Sequence, residues 1–401
     1  MGRRLVPTAA ATLLLAAGCG SSHQDAAHIA TAAKAPPTAP ASTARSAPTT
    51  APSAPADLPG MPPVPDPHNI YADAGANMMS PAAAGDRPLV YVPHNDSGDV
   101  WVIDQHTFAV VGKYYLGGEL QHVVPSWDMK TLYATDDYGN HLTPFDPKTG
   151  KPAETFNVVD PYNMYFTPDG RYAISVAEAR RELVWYDPHT WKQEDMTPTP
   201  ACGGIDHADF SVDGRTAVFT CEFTGRVAVV DVATHKIVRT VDMPQRHTHM
   251  GPQDIKLAPD GSAYYVADCD ANGVWVLDAG AAKVVRFIPT GSCAHGLYLS
   301  RDGKQLYVTN RAEGSVSVLD AYTGDPITKW HIPGGGSPDM GNLTADGTQL
   351  WLSGRYSNMV YVLSTADGAL LKKIPVGAGP HGLAVWPQPG RYSLGHTGIT
   401  R

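Results

Sequence analysis

The sequence predicts an all-β protein, a seven-bladed β-propeller of four-stranded antiparallel blades. A turn signal recurs at intervals of 41 to 47 residues, at Asp86, Asp128, Asp169, Asp213, Asp260, Asp302 and Asp346. The end of an alternating, β-branched run follows each signal by 18 residues, at Asp104, Asp146, Asp187, Asp231, Asp278, Asp320 and Ser364. A constant offset inside a unit of roughly 40–45 residues is typical of propeller blades, with insertions confined to the loops between units.

The N-terminal residues predict an export signal followed by a lipid anchor. Arg3 and Arg4 precede a short apolar run, which is typical of a secretory signal. The following residues, 16–19, read Ala-Ala-Gly-Cys and resemble a bacterial lipobox. We therefore expect residues 1–18 to be removed, Cys19 to be acylated, and the protein to be extracytoplasmic and anchored to the bacterial cell membrane. An incidental cysteine behind an ordinary secretory signal is the alternative.

Residues 19–65 predict a disordered tether. Between Thr31 and Gly60, 25 of 30 positions are Ala, Pro, Thr or Ser. Such a segment buries too little apolar surface to offset the entropy of the chain, and its prolines keep it extended. The propeller is expected over residues 66–401, with the repeats at about 86–390.

Composition and charge exclude several classes of function. The net charge of −9 makes nucleic acid an unlikely partner, because phosphate binding requires an excess of Lys and Arg on one face. No apolar run reaches the ~18–20 residues of a spanning helix, so membrane contact is expected through the lipid anchor only. Nucleophile-elbow, phosphate-loop and His-Glu-x-x-His motifs are missing, which favours binding over catalysis. We expect a monomer.

The C-terminus is predicted to close the ring of blades. Each unit reads as four short strands, but the first unit lacks its innermost strand. Residues 381–385 match the start of the sixth unit at 295–299, and no ordinary second strand follows them. A terminal strand that completes the first blade would remove the open sheet edges that otherwise promote aggregation.

The sixth unit carries a family resemblance. Residues 306–310 contain the letters YVTN, and an alternating run follows at 315–320. Thr290-Gly291 and Pro380-His381-Gly382 are similar to loops between blades of the same family. The chain thus resembles YVTN-repeat seven-bladed propellers over about residues 86–390. The resemblance implies a fold shared with the haem d1 propeller of nitrite reductase, the copper-bearing propeller of nitrous oxide reductase and lactonase-like enzymes, but not a particular chemistry.

Polar residues recur at the start of the first strand of each blade, which places them on one face near the central channel. Imidazole is a ligand for Cu, Zn, Fe and Ni, so a ring of strands can offer several imidazoles to one ion. The expected cofactor is a transition metal, Cu or Zn, or a haem-like ligand. The metal-binding candidates are His122, His207, His295 and His381, with His94 from a second strand and His247 and His249 from the longest loop. The candidates for other ligand contacts are Asn163, Asp206, Asp254 and Asp339.

Two interpretations of these polar residues compete. In the first, they cap strand ends and bond to neighbouring backbones, as repeat folds require. In the second, they converge on an axial site, although strand alternation argues against adjacent residues such as Asp206 and His207 pointing inward together. The corresponding functions are a binding scaffold for a partner protein, an envelope component or a small ligand, and a metal- or haem-d1-related redox enzyme or cofactor-handling protein.

The cysteines predict two disulfide bonds. Export implies an oxidising compartment, and four cysteines remain after Cys19. Cys202 and Cys221 flank the first two strands of the fourth blade, which pair with each other. Cys269 ends a strand of the fifth blade, and Cys293 precedes the adjacent first strand of the sixth. We expect the bridges Cys202–Cys221 and Cys269–Cys293; thiolate ligation of a metal by some of these residues is the alternative.

Overall fold

The computed structural model describes residues 57–245 and 250–401, and these residues form seven β-sheets. The predicted signal, Cys19 and the loop histidines His247 and His249 lie outside the described residues. Within these residues, two short 3₁₀ helices occur, at Ala72–Ala74 and Glu222–Thr224. In the described part of the chain, no helix has the length and apolar character needed to cross a membrane.

The first three blades follow one another along the chain. The first blade contains β1 (Leu89–His94), β2 (Asp99–Asp104) and β3 (Val110–Tyr115). The second contains β4 (Leu120–Pro125), β5 (Leu132–Asp136), β6 (His141–Asp146), β7 (Lys151–Pro152) and β8 (Phe156–Asn157). The third contains β9 (Asn163–Phe166), β10 (Ala173–Ala177), β11 (Glu182–Tyr186) and β12 (Gln193–Pro198).

Four further blades each have four antiparallel strands in sequence order. The fourth contains β13 (Ile205–Phe210), β14 (Thr216–Cys221), β15 (Arg226–Asp231) and β16 (Lys236–Asp242). The fifth contains β17 (Pro252–Leu257), β18 (Ala263–Asp268), β19 (Gly273–Asp278) and β20 (Val284–Pro289). The sixth contains β21 (Ala294–Leu299), β22 (Gln305–Asn310), β23 (Ser315–Asp320) and β24 (Pro326–His331). The seventh contains β25 (Pro338–Leu343), β26 (Gln349–Gly354), β27 (Met359–Ser364) and β28 (Leu370–Pro375).

The C-terminal part of the chain closes the ring, as the sequence predicts. The strand β29 (Ala384–Trp386) pairs antiparallel with β1, opposite residues 89–91. The Gln105 side chain donates to the Trp386 carbonyl at 2.7 Å and fixes the end of this strand. Closure is thus achieved by pairing the two ends of the propeller within one blade, and the first blade becomes four-stranded.

Apolar side chains fill the seven interfaces between neighbouring blades. Each interface holds a cluster of buried residues contributed by two adjacent sheets, including the one between the seventh and first blades. Because blades stack face to face, inner strands such as β1 and β17 are buried along their whole length. Leu58, which the sequence assigns to the tether, is also buried in one of these clusters.

A β-bulge near the start of the innermost strand recurs in five blades, namely in β4, β13, β17, β21 and β25. A hydroxyl group of the second strand accepts the backbone N–H of the bulged residue; Thr135 does so for His122, and Thr220 for His207. A bulge adds a residue to one strand and re-aims the side chains beside it. The alternation argument against Asp206 and His207 acting together is therefore wrong, since their side chains are in contact.

The last ten residues fill part of the channel. The strands β30 (Ser393–Gly395) and β31 (Ile399–Thr400) form a hairpin that pairs with β9 through Gly395 and Tyr165. The buried Arg401 guanidinium forms an ion pair with Asp209 at 2.9 Å, and so holds the chain end in place. The turn of this hairpin carries His396 into the interior.

Candidate metal centre

Five buried imidazoles lie together in the channel, four from innermost segments of different blades and one from the C-terminal hairpin. His122 is the centre of the group: its ring centroid lies 4.9 Å from that of His381, 5.3 Å from that of His207 and 5.5 Å from that of His396. His295 completes the group, 6.2 Å from His381 and 6.5 Å from His207. The structure therefore brings together the four predicted axial histidines and adds His396.

Backbone carbonyls of the next blade orient two of these rings. His122 Nδ1 lies 2.8 Å from the carbonyl oxygen of Tyr162, and His207 Nδ1 lies 2.8 Å from that of Gln253. Thr135 and Thr220 donate to the same two carbonyls and so hold them in position. Because a carbonyl only accepts, each Nδ1 carries a hydrogen, and the Nε2 atoms face each other across 3.3 Å.

The carboxylates of Asp206 and Asp339 contact three of the five rings, and Asp339 holds the ring of His381 by a hydrogen bond. Asp206 lies 2.6 Å from Nδ1 of His207. Asp339 accepts from Nδ1 of His381 at 2.8 Å, and its other oxygen lies 3.3 Å from Nδ1 of His295. A carboxylate that fixes the Nδ1–H of an imidazole is the usual outer partner of a metal-binding histidine, because it directs the Nε2 lone pair at the ion.

His396 is held by Asn163. The Asn163 amide oxygen accepts the N–H of Met164 at 2.8 Å, so its NH₂ group faces Nδ1 of His396 at 2.9 Å. Nδ1 is then the acceptor, and the neutral ring carries its hydrogen on Nε2, which has no hydrogen-bond partner among the described residues. Ligation through Nε2 would move that hydrogen to Nδ1 and require the Asn163 amide to turn.

The electrostatics of the cluster favour a single positive charge. Burial lowers the pKa of His207, but the carboxylates of Asp206 and Asp254 and the Gln253 carbonyl together outweigh this and raise the pKa to about 9. Burial, reinforced by neighbouring cationic groups, holds the pKa of the other four histidines well below the ordinary histidine value. A protonated His207 thus donates its Nε2–H to the lone pair of His122.

The same geometry fits a transition-metal ion. Two zinc–imidazole bonds of about 2.0–2.1 Å at a tetrahedral angle place their nitrogens roughly 3.3–3.4 Å apart. This separation matches the 3.3 Å between the Nε2 atoms of His122 and His207. With His396, these two residues offer three ligand atoms that all lie within 4.8 Å of one another. An ion between them would replace the shared proton.

Other predicted site residues lie outside this group. His94 is buried, but its Nδ1 contacts Asp99 and its Nε2 accepts the N–H of Gly377, so both nitrogens are engaged. Asp254 accepts the backbone N–H groups of Ile255 and Leu297, which is the architectural role foreseen for such residues.

The four cysteines form the two predicted disulfides, Cys202–Cys221 and Cys269–Cys293. Their sulfurs are paired with each other, so the alternative of thiolate ligation is wrong for these residues.

A cavity of about 710 Å³ opens above the cluster, and His295 and His381 line it. Tyr138, Phe223 and Tyr356 line the same cavity and are 82%, 49% and 67% exposed, so the mouth of the cavity has an aromatic rim. The charged groups of its wall are the acids Glu119, Asp137, Asp160, Glu178 and Glu222 and the bases Arg180, Arg311 and Arg355. A cavity of this volume is in the range of small-molecule sites.

Three carboxyl groups of the cavity wall have pKa values raised to near pH 7 or above. Burial, with the nearby carboxylates of Asp206 and Glu222, raises the pKa of Glu178 to about 8. Burial likewise raises the pKa of Glu222 and of Asp137 to about 7. Near pH 7 these groups are partly protonated, so they can donate as well as accept hydrogen bonds from a bound molecule.

Comparison with known proteins supports the fold. Residues 249–389 match the model of the YNCE-like beta-propeller family. The chain is similar to the uncharacterized protein YncE of Salmonella typhi and to that of Salmonella typhimurium, each with 23% identity over 268 residues, 58% of this chain and 74% of the relative. The expected resemblance to seven-bladed repeat propellers is confirmed.

Solved structures of low sequence identity share the architecture. A protein of unknown function from Desulfotomaculum acetoxidans superposes with a TM-score of 0.61 and 18% identity, over 74% of this chain and 98% of the other. Hydrazine synthase of Kuenenia stuttgartiensis superposes with a TM-score of 0.56 and 19% identity, over 65% of this chain and 87% of the other. Dihydro-heme d1 dehydrogenase NirN, in complex with DHE, superposes with a TM-score of 0.55 and 14% identity, over 74% of this chain and 75% of the other. At these identities the likeness concerns the fold alone.

Proposed function

We propose that this propeller binds one transition-metal ion, Zn²⁺ or Cu²⁺, on its axis. The observation that carries the proposal is the pair of Nε2 atoms of His122 and His207, 3.3 Å apart and both held by hydrogen bonds at Nδ1. Imidazole nitrogen suits both ions. His396 and His381 supply further imidazoles on either side of the pair.

Metal-binding calorimetry of the purified mature domain tests the proposal. We expect one ion per chain with a Kd in the micromolar range or tighter, which corresponds to at least about 8 kcal/mol of binding free energy. Replacing both His122 and His207 by Ala should weaken binding by at least about 100-fold, beyond the 10–100-fold effect typical of outer partners. His94→Ala is the matched control, because His94 is equally buried but both of its nitrogens are engaged elsewhere. Equal affinity of parent and double variant would refute the proposal.

A planar, haem-like ligand is the second candidate. The cavity over His295 and His381 has an aromatic rim and three arginines in its wall, which suits a flat molecule with acidic groups. One structural relative is a dehydrogenase of dihydro-haem d1, solved with its ligand. Titration with haem-type ligands, followed by their absorption spectrum, separates this candidate from simple metal binding. If neither metal nor haem binds, a binding scaffold for a partner protein or an envelope component remains.

We further propose that the protein works outside the cytoplasm on a lipid anchor. The support is Cys19 behind an apolar run and small residues, together with two disulfides in the propeller. Cys19→Ala should release the protein from the membrane fraction of expressing bacteria. Retention of this variant in membranes would contradict the anchor.

A further inference from the structure

Two guanidinium groups, those of Arg311 and Arg355, line the cavity together with His295 and His381. Arg311, His295 and His381 all contact the one carboxylate of Asp339. Arg355 lines the same cavity, and none of the described residues forms a hydrogen bond or an ion pair with its guanidinium group. Burial lowers the pKa of His381, and the charge of Arg355, which lines the same cavity, lowers it further. Glu222 is the second carboxyl group near both guanidinium groups, but burial raises its pKa to about 7, so it is only partly charged near pH 7.

Arg311 is also incompletely paired. Its side chain is only 5% exposed, and it donates to Asp339 at 3.2 Å and weakly to Gln253 at 3.5 Å. Its Nε has no hydrogen-bond partner among the described residues. A buried guanidinium donor without an acceptor is costly, because it has lost its hydration without gaining a partner. An acceptor supplied by a bound molecule would remove this cost.

We infer that this wall binds the carboxylate of a small organic acid, with its oxygens paired to Arg355 and Arg311 and directed at the metal on the axis. The inference rests on the proposed metal site and names the class of molecule that meets it. Guanidinium groups match the planar geometry of a carboxylate, and an added divalent ion would increase the positive charge of this wall. We choose an organic acid over an inorganic oxyanion because the cavity volume of about 710 Å³ is much larger than a small ion. Its aromatic rim also offers apolar contacts that an inorganic ion cannot use.

Cobalt substitution gives the test, because the visible spectrum of Co²⁺ reports changes in its ligands. The Co²⁺-loaded protein is titrated with acetate, benzoate and inorganic phosphate at constant ionic strength. We expect benzoate and acetate to change the spectrum, benzoate at the lower concentration because its ring meets the rim of Tyr138, Phe223 and Tyr356. Tighter binding of phosphate than of benzoate would overturn the assignment to an organic acid.

Three variants localise the effect. Arg355→Ala should raise the half-saturating benzoate concentration at least about tenfold while changing cobalt affinity less than twofold. The half-saturating concentration for Arg355→Lys should lie between those of Arg355→Ala and the parent, because lysine keeps the charge but lacks the planar guanidinium group. Arg180→Ala is the matched control, since Arg180 lines the same cavity but is exposed, and its guanidinium group donates to the Asn140 side chain. Unchanged benzoate binding by Arg355→Ala, or a spectrum that no carboxylate changes, would overturn the inference.

Failure of cobalt to bind would contradict the metal proposal instead. The carboxylate site is then tested on the metal-free protein by calorimetry with benzoate. Heat of binding in the parent and its loss in Arg355→Ala would support the site without the metal. Absence of heat in the parent would overturn it.

Discussion

The Nε2 atoms of His122 and His207 lie 3.3 Å apart on the propeller axis, although 85 residues separate them along the chain. Each ring is fixed at Nδ1 by a carbonyl of the following blade, and each carbonyl is fixed by a threonine hydroxyl of the second strand. Gly382 leaves the space that the His122 ring occupies, because a Cβ at that position would collide with it. The blade architecture itself thus positions the two imidazoles.

His396 should contribute to metal affinity through its outer partner. Asn163→Asp places a carboxylate where the amide now stands, which can accept both the Met164 N–H and a hydrogen on His396 Nδ1. This change should strengthen zinc binding, because it favours the tautomer that directs the Nε2 lone pair at the ion. His396→Ala should weaken binding at least about tenfold and abolish the benefit of Asn163→Asp. Calorimetry on the four proteins checks this; a benefit that survives without His396 would contradict a ligand role for it.

Removal of the closing strand should destabilise the whole propeller. Truncation after residue 378 deletes β29 and the C-terminal hairpin, and so unpairs β1 and opens the ring. Trp386→Ala is the milder test, and we expect it to cost about 3–5 kcal/mol because the indole is fully buried. Thermal unfolding followed by circular dichroism measures both. A truncated protein that melts at the parent temperature would show that closure does not support the fold.

The two disulfides should stabilise the propeller without affecting the metal. The Cys269–Cys293 bridge joins the fifth and sixth blades, and removal of a native bridge typically costs about 2–5 kcal/mol. Replacing both cysteines by Ser should lower stability by about that amount and leave zinc affinity within twofold of the parent, because the sulfurs lie outside the histidine group. Non-reducing peptide mapping checks the pairing. A bridge between Cys221 and Cys269, or a large loss of zinc affinity, would contradict this account.

The buried carboxyl of Glu178 should make stability fall with rising pH. Its folded-state pKa of about 8 lies above its ordinary value, so its favourable contribution is full below about pH 4.3 and is lost as pH rises through 8. Asp206, Glu222, Asp137 and Asp160 all act in the same direction on this group. At pH 9, Glu178→Gln should therefore be more stable than the parent by at least about 1.4 kcal/mol, the equivalent of one pKa unit.

Urea denaturation at pH 5 and pH 9 measures this difference. Glu154→Gln is the control, because it makes the same chemical change at an exposed position. If the gain from Glu178→Gln is the same at both pH values, ionisation of Glu178 is not its cause.

The repeat made the blades and the four axial histidines predictable. Because each unit keeps one internal spacing, the sequence alone aligns positions such as His207 and His295 with the start of the first strand. His396 could not be found this way, since it lies in a C-terminal segment that follows the last repeat and has no counterpart in the other units. The sequence marks His396 only as a histidine near two glycines, in a segment that follows the strand that closes the ring.

The bulges and the arginines show a second limit of prediction from residue spacing. Strand alternation predicts that Asp206 and His207 point to opposite sides. Only the bulge, fixed by the Thr220 hydroxyl of the neighbouring strand, brings their side chains into contact. Arg311 and Arg355 directly follow the ends of β22 and β26, next to positions that the repeat already marked. That both line one cavity depends on the closed ring, which spacing alone does not describe.

Anomalous diffraction from crystals grown with Zn²⁺, recorded on both sides of the zinc absorption edge, tests the metal centre most directly. The account predicts one strong peak on the axis, about 2.0–2.1 Å from Nε2 of His122 and from Nε2 of His207. The same peak should be missing when both histidines are Ala. Zinc peaks confined to exposed side chains such as His189, with none between these two rings, would contradict it.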